Sequence, residues 1–68
     1  MENRVEELRR LRGLKQEAFA KALGVSRQTM SAIETGKYNP SLDLAFAISD
    51  FLGQPIEKIF LHRKGEPV

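Results

Sequence analysis

The sequence contains no cysteine and only one histidine, His62, and these two absences exclude several classes of site. Without cysteine there can be no disulfide, no thiolate metal site and no thiol nucleophile. One histidine alone cannot build a zinc or iron site, and His62 falls in the C-terminal tail, where a surface position is expected. The serines have no base arranged beside them, so nucleophilic catalysis is not expected. We therefore expect no enzyme, no metal and no cofactor.

Long apolar runs are also missing. No stretch approaches the roughly 18 residues that a transmembrane helix needs, and the first residues lead into a charged amphipathic segment unlike a secretory signal. We therefore expect a soluble, cytoplasmic protein with no membrane partner. A length of 68 residues allows one small domain with a marginal core. Such a chain needs well-formed helices or oligomerisation, so a dimer is expected.

The net charge of +2 decides little by itself, but the charges are unevenly distributed. Residues 4–27 contain seven basic and three acidic side chains, whereas residues 42–61 contain three acidic side chains and one lysine. A surface that binds DNA phosphates needs clustered cations. The N-terminal part is therefore the better candidate for facing a nucleic acid.

Hydrophobic periodicity predicts five short helices and no strand alternation of useful length. The predicted helices cover residues 3–12, 16–23, 26–35, 41–52 and 55–59. The side chains at helical spacing on their apolar faces are Val5, Leu8, Leu11, Phe19, Ala20, Leu23, Met30, Ile33, Leu44, Ala45, Ile48, Phe51 and Leu52. Residues 1–61 are predicted to form the domain, and residues 62–68 a tail that is frayed at its end.

Residues 16–34 have the steric pattern of a helix-turn-helix. Ala20 provides a small side chain where two helices cross closely, and Gly24 lies where the chain must turn within about three residues. Val25 fills this turn from below. Ser26 can cap the following helix, whereas Lys15 is a poor N-cap for the preceding one. The pattern therefore predicts a helix-turn-helix whose second helix is opened by Ser26.

The runs LKQEAFAKALGVSRQT (residues 14–29) and IETGKYNPSL (residues 33–42) resemble the phage-repressor-type regulators of the XRE family. The similarity covers about residues 3–60 and is strongest to small single-domain regulators of bacteria and archaea. It implies an all-α fold: a compact five-helix, repressor-like domain in which helices 2 and 3 form the helix-turn-helix. It also implies a short C-terminal strand, for which residues 60–63 are the candidates.

The resemblance assigns base contacts to the outward residues of the second motif helix. These are Arg27, Gln28, Thr29 and Ala32. Their chemistry agrees independently, because glutamine suits adenine, arginine suits guanine, and threonine and alanine can touch a thymine methyl group. An ordinary solvated role remains the alternative, more so for Thr29 and Ala32.

The resemblance also implies phosphate contacts around this helix. The residues concerned are Gln16, Lys15, Lys37, Tyr38 and Asn39. A solvated lysine is the alternative for Lys15, and a simple turn with Tyr38 packed on the body is the alternative for the loop. The family further implies a partly buried, structural ion pair between Arg9 and Glu34.

The function that the resemblance implies is a homodimer that binds a palindromic operator and regulates transcription, most often as a repressor. Surplus apolar side chains are expected at the dimer seam, namely Phe51, Ile59, Phe60 and Leu61. The alternative is that such residues complete the monomer core, above all Ile56 and Ile59. An antitoxin, a restriction controller and a protein-interaction module that has lost DNA binding also remain open. No small-molecule ligand is evident.

Overall fold

Five helices make up most of residues 1–61, the part of the chain that the computed structural model describes. They are α1 (Val5–Leu11), α2 (Gln16–Ala22), α3 (Arg27–Glu34), α4 (Leu42–Leu52) and α5 (Ile56–Ile59). The predicted all-α fold is therefore confirmed, and no helix end differs from its predicted position by more than two residues. None of these helices is long and apolar enough to cross a membrane. The predictions for His62 and the rest of the tail lie outside the described residues.

The core is one cluster of buried side chains from all five helices, in which α2 and α1 each pack on α3 and α4 packs on α5. Its fully buried side chains are Val5, Phe19, Met30, Ile33, Ile48 and Ile59. Ala20 is also buried, as expected for the small residue at the crossing of α2 and α3. Gly24 has a φ of 73°, in the left-handed region that the sharp turn between these helices was expected to need.

One prediction of inward-facing residues is wrong in α1. Leu11 was expected to share an apolar face with Val5, but its side chain is exposed. Leu11 follows Val5 by six residues, which turns it about 120° away on an α-helix. Arg9, four residues after Val5, lies on the inward face instead and is buried.

The helix starts differ in how they are capped. Ser26 Oγ accepts a hydrogen bond from Thr29 N at 3.0 Å, and Ser41 Oγ accepts one from Leu44 N at 3.2 Å. Lys15, at the N-cap of α2, makes no such side-chain bond. The sequence-based expectation that α2 begins without a side-chain cap is therefore confirmed.

The two ends of the described chain pair with each other. Asn3 and Phe60 form an isolated antiparallel bridge, in which Arg4 N donates to Ile59 O at 2.7 Å and Leu61 N to Glu2 O at 2.9 Å. The chain after α5 thus becomes extended where the short C-terminal strand was expected. Within residues 1–61 this pairing is one bridge and not a longer strand.

The same region requires a correction to the predicted dimer seam. Ile59 is fully buried and Phe60 is buried too, because both belong to the monomer core. Phe51 packs edge-on against Phe19, with ring centroids 5.3 Å apart and an interplanar angle of 77°. For Ile59 and Phe60 the structure therefore matches the alternative, completion of the monomer core. Phe51 and Leu61 keep exposed surface.

Candidate nucleic-acid interface

Helix α3 has one buried and one exposed face. Met30 and Ile33 point into the core, whereas Arg27 and Gln28 are exposed on its first turn. The first turn of a recognition helix is where base edges are contacted in helix-turn-helix proteins. Two of the four residues expected to contact bases therefore project freely from the protein. The other two, Thr29 and Ala32, are half-buried on the flank of the same helix.

Ser26 fixes the start of α3 through two hydrogen bonds to one residue. Its Oγ accepts from Thr29 N at 3.0 Å and donates to Thr29 Oγ1 at 2.9 Å. The first bond satisfies one of the free N–H groups of the helix terminus. The second bond orients the Thr29 hydroxyl toward the helix start.

The loop after α3 folds back along the last turn of that helix. Gly36 makes this reversal possible with a φ of 80°. Lys37 N and Tyr38 N both donate to Ala32 O, at 3.0 and 3.1 Å. Lys37 and Tyr38, two of the three loop residues expected to contact phosphates, therefore lie beside the last turn of α3. Asn39, the third, is exposed, and its Oδ1 accepts a hydrogen bond from the N-terminal ammonium of Met1 at 3.2 Å.

Tyr38 does not pack into the body of the domain. Its side chain is 52 % exposed. It lines an open hollow together with Ser26, Gln28, Thr29 and Ala32. The ring thus stands against the outer side of α3, on the same face as residues expected to contact bases.

A single carboxylate joins three helices behind this surface. Glu34 Oε2 accepts from Arg9 Nε at 2.7 Å, and Glu34 Oε1 accepts from Gln16 Nε2 at 3.0 Å. Arg9 Nη1 also donates to Leu14 O at 2.7 Å. The side chains expected to pair, Arg9 and Glu34, are therefore in contact.

The bond to Glu34 bears directly on the role expected for Gln16. A glutamine amide carries two N–H donors. One of them is held by Glu34, which leaves the second N–H and the amide oxygen for another partner. Gln16 was expected to contact a phosphate, and the structure places its side chain, half-buried, at the start of α2.

Two arginines, one at the N-cap of α1 and one within α1, are paired with neighbouring carboxylates. Arg4 pairs with Glu7 at 2.8 Å, and Arg10 pairs with Glu6 at 3.0 Å. The hydrogen bond and charge of Arg4 lower the pKa of the Glu7 carboxyl below its usual value. These cations are therefore weaker candidates for contacts with phosphates than the sequence count suggests.

Six exposed cations form no ion pair within residues 1–61. Four of them flank the helix-turn-helix or lie within it, namely Lys15, Lys21, Arg27 and Lys37. The other two are Arg12, which donates to Leu52 O at 3.1 Å, and Lys58 of α5. Most of the unpaired positive charge of the described residues therefore lies on α2, on α3 and in the segments next to these two helices. Anionic ligands are attracted to such a surface at long range.

Asn3 is a residue that the sequence interpretation missed. Its Nδ2 donates to Ile33 O at 2.8 Å, near the end of α3, and its Oδ1 accepts from Val5 N at 3.0 Å, at the start of α1. Asn3 therefore positions the end of the recognition helix against α1. An asparagine two residues before a helix was the available signal, because such side chains often bond the first N–H groups.

Comparisons with known proteins agree with this geometry. A family model described as "Helix-turn-helix" matches residues 5–59. An uncharacterised HTH-type transcriptional regulator of Methanocaldococcus jannaschii is 54 % identical over 66 residues, covering 97 % of this chain and all of the relative. One from Archaeoglobus fulgidus is 44 % identical, covering 90 % of this chain and 87 % of the relative. One from Bacillus subtilis is 45 % identical, covering 88 % and 91 %. The chain belongs to the XRE-type helix-turn-helix family.

Proposed function

We propose that this protein is a sequence-specific DNA-binding regulator of transcription. It acts as a homodimer on a palindromic operator, and its action there is repression. One observation carries the proposal. Helix α3 exposes Arg27 and Gln28 on its first turn while its opposite face is anchored in the core. The relatives named as HTH-type transcriptional regulators support the same function.

The mechanism follows from what surrounds α3. Lys15 and Gln16 at the start of α2 contact the backbone on one side of the groove, and Lys37 and Asn39 in the loop after α3 contact it on the other. Phosphate contacts of this kind set the register of the protein without reading sequence. With the register fixed, Arg27 and Gln28 hydrogen-bond base edges in the major groove.

A dimer is proposed because a single module buries only about 600–1,000 Å² on DNA. Two-fold pairing places two recognition helices about one turn of DNA apart. Leu42 and Phe46, one turn apart on α4, are 67 % and 53 % exposed. Together with Phe51 and Leu61 they are the apolar side chains that the proposed seam would cover.

Repression requires only that the bound dimer occupies the site that polymerase needs. The same DNA surface would serve an antitoxin or a restriction controller. A toxin gene or a restriction gene next to the coding sequence would favour one of these two. The repressor remains our proposal because it needs no partner besides DNA and a second copy.

In vitro selection of random duplex DNA by the purified protein tests the proposal. We expect enrichment of an inverted repeat whose half-sites are about one helical turn apart. The double variant Arg27→Ala/Gln28→Ala is the control, since both side chains are exposed and their loss should leave the fold intact. Failure of the wild-type protein to enrich any sequence would contradict the proposal and favour a protein-interaction module.

A further inference from the structure

The hollow on the outer side of α3 has a volume of about 340 Å³ and is lined by Ser26, Gln28, Thr29, Ala32 and Tyr38. None of these five side chains carries a charge at neutral pH. A phosphate would find no cation in the hollow, although Lys37 lies next to Tyr38 in the sequence. The lining of the hollow is therefore uncharged, whereas the surface around it is cationic.

The wall formed by Tyr38 is attached to α3 itself. Both Lys37 N and Tyr38 N bond to Ala32 O, so the backbone of Tyr38 keeps a fixed position beside the last turn of the helix. When α3 lies in the major groove, the Tyr38 ring is carried to the rim of that groove with it. Because the backbone is held in this way, only the side-chain torsions of Tyr38 need to be ordered when its ring contacts a base edge.

Two residues of α3 that line the hollow together with Tyr38 carry methyl groups. They are Ala32 and Thr29, and the Thr29 hydroxyl accepts a hydrogen bond from Ser26 Oγ at 2.9 Å. In the major groove the thymine 5-methyl group is the apolar feature that distinguishes one standard base from the others, and methyl-bearing side chains recognise it. The hollow matches that chemistry.

We propose that this hollow binds the 5-methyl group of a thymine in each half-site, and that Tyr38 is thereby a residue that determines sequence specificity. This inference rests on the proposed function and deepens it. It assigns Tyr38 a contact with a base, where the sequence pointed to a phosphate. Because Gln28 lines the same hollow, the thymine lies beside the base that Gln28 contacts.

The test uses the duplex enriched by in vitro selection and replaces each thymine, one at a time, by deoxyuridine, which removes only the methyl group. At one thymine per half-site we expect the dissociation constant of the wild-type protein to rise about fourfold, as burial of one methyl group implies. Tyr38→Ala should reduce this penalty below about twofold. Tyr38→Phe is the matched control and should keep the penalty, since it lacks only the hydroxyl.

Three results would overturn the inference while leaving the proposed function intact. Either no deoxyuridine substitution weakens binding to the selected duplex, or Tyr38→Ala retains the full penalty. A selected half-site without thymine would overturn it too. Absence of any selected duplex would instead count against the proposed function itself.

A second measurement does not depend on a variant. Nuclear Overhauser contacts between the thymine 5-methyl protons and the Tyr38 ring protons are expected in the complex of the wild-type protein. Contacts of the Tyr38 ring with deoxyribose protons alone would show that the ring lies on the backbone. That result would support the phosphate contact that the family resemblance implies for Tyr38, and it would contradict the inference.

Discussion

Arg9 of α1 and Glu34 at the end of α3 form an ion pair of 2.7 Å whose side chains are only 7 % and 3 % exposed. Gln16 at the start of α2 donates to the same carboxylate. Glu34 therefore connects the start of the helix-turn-helix to its end and ties both to α1. The orientation of the two motif helices, and hence of the proposed DNA surface, depends on this carboxylate.

Removing one member of this pair should destabilise the protein strongly. Arg9→Met and Glu34→Leu each leave a buried charge without its partner, so the free energy of unfolding should fall by about 3–5 kcal/mol. In the double variant Arg9→Met/Glu34→Leu, the free energy of unfolding should fall by less than the sum of the two single losses. Urea denaturation measures all three, and Arg10→Ala, which removes an exposed pair, is the control. If each single variant lost no more unfolding free energy than Arg10→Ala, the pair would not be important for stability.

The local steric pattern was enough to predict the helix-turn-helix. Ala20, Gly24 and Ser26 act through backbone geometry and contacts within a few residues, which a sequence displays directly. The contacts that were missed join distant residues. Asn3 bonds Ile33 across 30 positions, and Gln16 bonds Glu34 across 18. Nothing in the local pattern of either partner indicates such a contact.

The exposure of apolar residues was harder to predict than the helices. Ile59 and Phe60 looked surplus because other side chains already satisfied the core of the helix-turn-helix. They are buried because the bridge between Asn3 and Phe60 draws the chain after α5 back onto the domain. The pairing of the two chain ends thus decides which apolar residues stay exposed and could contact a partner. The number of apolar residues in the sequence does not reveal this pairing.

Gln28→Ala should relax sequence specificity at one base position of each half-site. Loss of a bidentate contact with a base should cost about 1–3 kcal/mol of discrimination at that position. Competition binding with single-base variants of the selected duplex measures this. Lys37→Ala is the comparison, since the loss of a lysine proposed to contact only phosphate should weaken binding equally on all sequences. An equal loss on every duplex for Gln28→Ala would contradict direct readout.

Lys15→Ser should stabilise the folded protein and weaken its binding to DNA. Residue 15 has the extended backbone of an N-cap and makes no side-chain bond, so serine there should add about 0.5–2 kcal/mol to the free energy of unfolding. Loss of one phosphate contact should lower the salt dependence of binding by about one unit of slope. Thermal denaturation and binding titrations at several salt concentrations test both effects. An unchanged salt slope would mean that Lys15 is a solvated surface lysine.

Phe46→Asp should shift the protein toward monomer in sedimentation experiments if α4 contributes to the dimer seam. Phe46 is exposed, so the new charge opposes association without entering the core. Leu11→Asp is the matched control, because Leu11 is an exposed apolar residue of α1 outside the proposed seam. Leu61→Asp tests the C-terminal edge in the same way. Phe60→Asp is unsuitable, since it would bury a carboxylate and unfold the domain. An unchanged dimer mass for both Phe46→Asp and Leu61→Asp would move the seam to another surface.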